Sequence, residues 1–330
     1  MNLVRRYYSY YSYENTNYWN QEEQLSYHDI VNQKLYFVQV AFDCLILLVL
    51  LKFAVWACTI RPAISPLRGT IAALVIWLMA QTLEVVVDIL YLANATVKET
   101  YHIAYILSYL FSVVGYCLVF MVFYTIIHKL LDRLTDSGRP YAVLSAFHWV
   151  VLAVVTVVSL ADFGVYTALI VKEVEETYTV KLLKDSNKIY TARTIVYFIV
   201  SLEIFAWGIY VALKAGAHRF TSKMPIFAVI TGSLCWFGYT LMFAIIAMKY
   251  YLGNPFYIDV PVYLAVVQDV LQFVFVIGIF IGILLSLVNW YKLDGGSDHN
   301  KPATSVQYPY NSAAPGPYPP HLFQQQQYGP

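Results

Sequence analysis

Residues 71–93 read IAALVIWLMAQTLEVVVDILYLA, an apolar run broken only by Gln81, Thr82, Glu84 and Asp88. A helix needs about 20 mostly apolar residues to cross the hydrocarbon core, because every backbone N–H and C=O there must be satisfied within its own segment. This run is long enough. Gln81, Glu84 and Asp88 are three and four residues apart, so on a helix they share one face. Such a face cannot point at lipid, since an ionisable group in hydrocarbon costs roughly 3 kcal/mol on insertion scales. The stretch therefore predicts a transmembrane helix with one polar face turned toward other helices.

Six further stretches supply those partners: Leu35 to Ile60, Ile103 to Ile127, Tyr141 to Val171, Tyr190 to Leu213, Met224 to Tyr250 and Val260 to Tyr291. The predicted fold class is all-α, a polytopic bundle of seven transmembrane helices over residues 35–291. Residues 1–34 form a Tyr-rich polar tail with no apolar stretch suited to a cleavable signal, so the first span is expected to direct insertion. Residues 292–330 are Pro, Tyr and Gln-rich, contain a PxxP pattern at Pro317 to Pro320, and are predicted to be disordered. Composition agrees with a membrane protein. The chain of 330 residues is 59% hydrophobic and 12% charged, with a mean hydropathy of +0.58, against about 25% charged residues in soluble domains. The 21 Lys and Arg nearly cancel the 20 Asp and Glu, so no global field marks nucleic acid as a partner. Cys44, Cys58, Cys117 and Cys235 lie in apolar stretches and read as free, buried thiols. Tyr36, Trp56, Tyr91, Tyr190, Tyr250 and Trp290 at the span ends read as interfacial anchors.

Orientation follows from Lys and Arg in the short loops. The first, third and fifth loops carry Arg61, Arg68, Lys129, Arg133, Arg139, Lys214, Arg219 and Lys223 with few acids; the even-numbered loops mix Lys98, Lys172, Lys181, Lys184 and Lys188 with many. The basic loops are expected on the cytoplasmic side, which puts the N-terminus outside and the C-terminus inside. The sequon Asn94-Ala95-Thr96 then falls in an outer loop, making Asn94 a glycosylation candidate.

Function is sought among the polar residues inside the spans, because each needs a partner, a water-filled cavity or a changed protonation state. Glu84 and Asp88 head the candidates for ligand binding, with Gln81 on the same face, Asp269 beside Gln268 and Gln272 in the seventh span, and Asp43 in the first. The third span adds Tyr105 and Tyr109 within a stripe of tyrosines and serines. Carboxylates beside tyrosine rings suit a cation or an amine, by charge pairing and attraction to the ring faces. Glu203 and Asp162 are further candidate proton or cation sites. The alternative is that buried acids, Gln, Ser and Tyr act only as interhelical hydrogen-bond glue. Lys52, too far along the first helix to pair with Asp43, is expected to snorkel toward the interface. Gly278, Gly282 and Ser286 permit close helix approach within the bundle. Cys235-Trp236-Phe237-Gly238 is a candidate movable aromatic element, and Asp132-Arg133 a candidate charge pair.

Seven spans with an outer N-terminus resemble the G-protein-coupled receptor class over about Leu35 to Tyr291. Against the rhodopsin-like pattern, the nearest matches are Asp132-Arg133-Leu134 and a Cys235-Trp236-Phe237-Gly238 lacking the proline. The seventh span has no Asn-Pro pair, and Val171 to Ile189 has no cysteine. In texture the chain looks like heptahelical membrane proteins of filamentous fungi. The last span has no lysine before Lys292 for retinal, and only His148 lies well inside a span, against the several His and Asp of seven-helix zinc hydrolases. The expectation is no enzyme, no cofactor and no metal. The chain reads as a receptor-like integral protein, of the plasma membrane before an internal one, binding a small cationic ligand in an outer-half polar cavity. Its expected partners are the bilayer, that ligand and cytoplasmic signalling or adaptor proteins. A proton- or cation-coupled transporter and a structural membrane protein without ligand are the alternatives.

Overall fold

The computed structural model describes residues 22–24, 30–60, 65–134, 142–175, 177, 179–217, 223–252 and 262–289. Seven helices long and apolar enough to cross a membrane lie among them: α1 (Ile30–Thr59), α2 (Ser65–Leu92), α3 (His102–Leu134), α4 (Ala142–Val174), α5 (Val180–Ala217), α6 (Met224–Ile246) and α7 (Val262–Val288). The protein is a multi-pass membrane protein with an all-helical fold. The exception is a small ribbon, in which β1 (Glu22–Gln24) pairs antiparallel with β2 (Thr96–Lys98), Glu23 opposite Val97. This ribbon, between α2 and α3, marks one end of the bundle, called here the ribbon end.

Each helix packs on the next, and α7 closes the ring against α1, while α3 also reaches across to α5. α3 is the most enclosed helix and α4 the most outward-facing. The latter presents Val143, Phe147, Val150, Val154, Val157 and Leu160 to the surroundings, an apolar belt that lipid can cover. Lys52 stands on the outward face of α1 with Leu48 and Val55.

The centre is aromatic. Trp236 of α6 is fully buried, its ring parallel to Tyr239 at 5.6 Å, edge-on to Trp77 of α2 at 6.3 Å and to Phe120 of α3 at 5.1 Å. Phe280 of α7 completes the layer, 5.3 Å from Trp77. Such offset and edge-to-face pairs are each worth about 0.5–1.5 kcal/mol beyond their buried area.

The stripe of small residues in α7 packs inside the bundle, against α6. A Cβ at Gly282 would lie 2.5 Å from the Gly232 Cα and 2.6 Å from the Ala228 carbonyl oxygen, and one at Gly278 would collide with the Cys235 side chain. α2 ends with Asn94 at φ 49°, where Ala95 N–H reaches the Leu90 carbonyl and Asn94 N–H the Tyr91 carbonyl. This is a left-handed helix cap, in which Asn is the common substitute for Gly.

Several sequence expectations need correction. Helices outrun the hydrophobic runs: α1 starts at Ile30 instead of Leu35, α3 reaches Leu134, and α4 and α5 absorb most of the predicted fourth loop. At 38 residues α5 is about 57 Å long, well beyond a core of about 30 Å. Its charged first turns leave the hydrocarbon without leaving the helix, with Lys188 facing Asp185 at 3.5 Å on the exposed side. All four cysteines are free, but none is fully buried: Cys58 is exposed and Cys44, Cys117 and Cys235 are half-buried. Arg61, Arg139, Arg219, Trp290 and the PxxP run lie outside the described residues, as do most of the two predicted tails.

The α6 and α7 seam should be intolerant of added volume. Gly282→Ala should destabilise the detergent-solubilised protein by about 1–3 kcal/mol in thermal unfolding. Gly164→Ala, where a Cβ meets nothing within 4 Å, should be neutral or stabilising by up to about 1 kcal/mol.

Candidate functional site

α2 turns Val75, Met79, Val86 and Ile89 outward. Glu84 projects from the opposite side of the helix, about 200° around from Thr82, and yet is exposed. An accessible side chain on an inward face requires an open cavity within the ribbon half of the bundle. Around it Asp43 of α1, Asp88 of α2 and Asp269 of α7 are half-buried. The carboxylates are close enough to repel one another.

Neutral donors hold two of them. Tyr36 Oη donates to Asp88 Oδ1 at 2.9 Å and Gln81 Nε2 to Asp43 Oδ1 at 3.2 Å, while Gln39 lies beside Asp269. Tyr36 is therefore a member of this group and not an interfacial anchor, and Gln39 was not singled out in the sequence. Gln39 Oε1 and Asp269 Oδ2 are buried without a partner. Among the described residues no Lys, Arg or His is paired with any of the four acids. Nor does any group of three His, Cys, Asp or Glu converge to hold a metal ion. Tyr105 stands near Asp88 at the rim, 5.9 Å ring to ring from Tyr101. The site thus joins α1, α2 and α7, with the first turns of α3 beside it.

Tyr109 and Asp162 belong to a second, closed site. Arg193 Nη1 lies 2.8 Å from Asp162 Oδ2, with both side chains almost fully buried, and Tyr109 donates to the same oxygen. The guanidinium sits over the rings of Tyr109, Tyr190 and Tyr197, 5.0 to 5.4 Å from their centroids. Tyr190, read as an anchor, is one wall of this cage. A cavity of about 40 Å³ adjoins it, lined by Tyr166, Ser186, Asn187 and Tyr251, with room for ordered water. Asp162 is thus buried against Arg193 and not part of the acidic group. Sequence reading missed Arg193, an opposite charge inside the fifth span, and with it the polar stripe Asn187, Thr191 and Thr194 on the inner face of α5.

A third cluster occupies the other half. His148 Nε2 of α4 lies 3.0 Å from Glu203 Oε1 of α5, and His148 Nδ1 is 2.8 Å from His128 Nε2 of α3. Glu203 Oε2 accepts from Tyr124 at 2.6 Å, and Oε1 from Trp207 at 3.2 Å. If a neutral His148 donates through Nε2 to the carboxylate, its Nδ1 accepts from His128. His148 is therefore not the isolated histidine the sequence suggested. The third helix continues past Ile127 and brings His128 onto it. The aromatic layer of Trp77, Tyr116, Phe120, Trp236, Tyr239 and Phe280 lies between this cluster and the acidic cavity. No protein-family model, curated protein or solved structure matches the chain.

The Arg193 and Asp162 pair should behave as a closed structural unit. Arg193→Met should destabilise by about 3–5 kcal/mol, since it strands a buried carboxylate, and adding Asp162→Asn should recover much of that loss. Thermal unfolding of the two single variants and the double variant measures the coupling.

Proposed function

We propose that this is a receptor-like membrane protein that binds a small cationic ligand in the acidic cavity. One observation carries the reading: Glu84 faces inward yet is accessible, among carboxylates that no cation balances among the described residues. Buried charges are otherwise paired, as Asp162 and Glu203 are. A set without a basic partner among the described residues is one that a cationic ligand can neutralise. The ribbon end is then the outer face, with Asn94 available for glycosylation there. The basic loops and the C-terminal tail are left on the cytoplasmic side for signalling or adaptor partners, and the plasma membrane is the favoured location. Such a topology is that of the G-protein-coupled receptor class and of the heptahelical fungal proteins that the chain resembles in texture.

The cavity floor supports a signalling role. Glu84 interacts electrostatically with Tyr116 and Tyr239, whose hydroxyls are 2.7 Å apart, and Tyr239 stacks on Trp236. A cation at Glu84 changes the field on this pair, and through it bears on α6. On this reading the aromatic motif at Trp236 responds to the ligand.

A second reading, a proton-coupled carrier, is favoured by the chain from Glu203 through His148 to His128 in the other half. The aromatic layer separates that chain from the cavity, which tilts the balance to a receptor.

Thermal unfolding in detergent with a panel of amines and cations tests the reading. At a ligand concentration 100-fold above Kd, the wild type should gain about 2.7 kcal/mol, and the Glu84→Gln, Asp88→Asn double variant should gain nothing. A panel in which no compound separates the two proteins would leave the acids as interhelical glue. Proton-driven uptake of the stabilising compound into liposomes, abolished by His148→Gln, would instead establish the carrier.

A further inference from the structure

We infer that the contact between His128 and His148 is a proton-operated latch, which holds α4 against α3 in the half of the bundle away from the ribbon and lets go when both rings are protonated. The inference does not rest on the ligand reading above. The hydrogen-bond inventory is the first argument. Glu203 accepts from Tyr124 and Trp207 and faces His148 Nε2 at 3.0 Å, while His148 Nδ1 and His128 Nε2 stand 2.8 Å apart. With both imidazoles neutral, His148 donates to Glu203 and accepts from His128. With one proton added, a His148 imidazolium donates from both nitrogens, to Glu203 and to His128, and the contact only reverses its direction. With a second proton, each of the two facing nitrogens carries a hydrogen. Two N–H donors bearing like charges do not stay at 2.8 Å, so the contact opens. His148 then keeps its place beside the Glu203 carboxylate, and α4 parts from α3. Admitting one water between the two nitrogens takes about 2–3 Å.

The mounting of α4 is the second argument. It is the most outward-facing helix, with Val143, Phe147, Trp149 and Val150 exposed around His148. Among its described residues the buried polar side chains are His148, Ser159 and Asp162. Ser159 is bonded to Tyr197 and Asp162 to Arg193, whose guanidinium keeps its charge throughout the physiological range. His148 is 14 residues from Asp162, about 21 Å along the axis. One half of α4 thus has a fixed pin, and the other a pin that titrates, because imidazoles change charge between about pH 5 and pH 8. Protons have a way in at the latch end. His128 is half-buried, and Asp132, one turn further along α3, is exposed and acts on it electrostatically. Around the pair, α5 contributes Glu203, with Lys214 beyond it over the Tyr210 ring. α3 adds Lys129 and Arg133, which repel one another.

The test is pulsed electron paramagnetic resonance on the full chain in nanodiscs, with Cys58→Ser removing the exposed native thiol. Spin labels at Arg133→Cys and Val143→Cys, exposed positions on α3 and α4, read the latch from about pH 8 to about pH 5. Labels at Leu107→Cys and Leu160→Cys, exposed on the same two helices in the half that holds Asp162, read the fixed pin. On acidification the first distance should lengthen reversibly by roughly 3 Å, the room for one water, and the second should not change. In His128→Gln the first distance should stay short at every pH, because an amide both donates and accepts but takes no charge. The wild-type series needs no latch variant, so a misfolded His128→Gln protein does not spoil the result. A wild-type distance indifferent to pH would overturn the latch, as would a lengthening that survives in His128→Gln. Equal lengthening of both pairs would also overturn it, since acid would then be loosening the whole bundle.

Discussion

Hydrocarbon solvates neither a carboxylate nor a guanidinium, so the polar side chains of the seven helices must find their solvation in one another or in enclosed water. This constraint sets which face of each helix turns inward, and the rest of the architecture follows. α2 is rotated so that Glu84, Asp88 and Gln81 look toward α1 and α7, and α5 so that Arg193 meets Asp162. α3, the most enclosed helix, serves the acidic cavity with Tyr105, the Arg193 knot with Tyr109, the aromatic layer with Tyr116 and Phe120, and the Glu203 cluster with Tyr124 and His128. Its tyrosine stripe is a spine of donors for acids carried on its neighbours.

The three polar clusters solve the same problem differently. Around Arg193 the charges cancel, aromatic rings wall the guanidinium, and the site is closed. Around Glu203 the carboxylate is satisfied by a phenol, an indole and an imidazole. Among the described residues the acidic group alone has no basic partner, and Glu84 within it is exposed. Among the described residues, charge pairing sets these two clusters apart from the acidic group of α1, α2 and α7. Rigid elements adjoin the acidic group: the aromatic layer packs through the bundle centre, and the glycine seam locks α7, which carries Asp269, against α6.

Much of this was legible in the residues. The apolar runs located the helices, and the spacing of Gln81, Glu84 and Asp88 announced the inward face of α2. Both signals are local, since hydropathy and helical periodicity need only neighbours in the chain. The helix ends were misjudged where charged turns continue beyond the bilayer, as in α5, because hydropathy reports the solvent and not the backbone. Tyr36 and Tyr190 looked like anchors, since a tyrosine at a span end reads the same whether it meets headgroups or a buried acid. Arg193 was detectable as a lone base facing an acid in the preceding span, and was passed over.

By itself the sequence determined that seven helices form, that they belong in a bilayer, and that α2 turns acids away from lipid, because the free energy of burying each segment depends on its own composition. Only the tertiary structure decided which acids stand together. Asp43, Glu84, Asp88 and Asp269 stand together, while Asp162 and Glu203, the same chemistry in neighbouring helices, are each claimed by a partner far away in the chain. The reason is geometric: pairing depends on helix rotation and on which helices touch, and both are fixed by the packing of the whole ring.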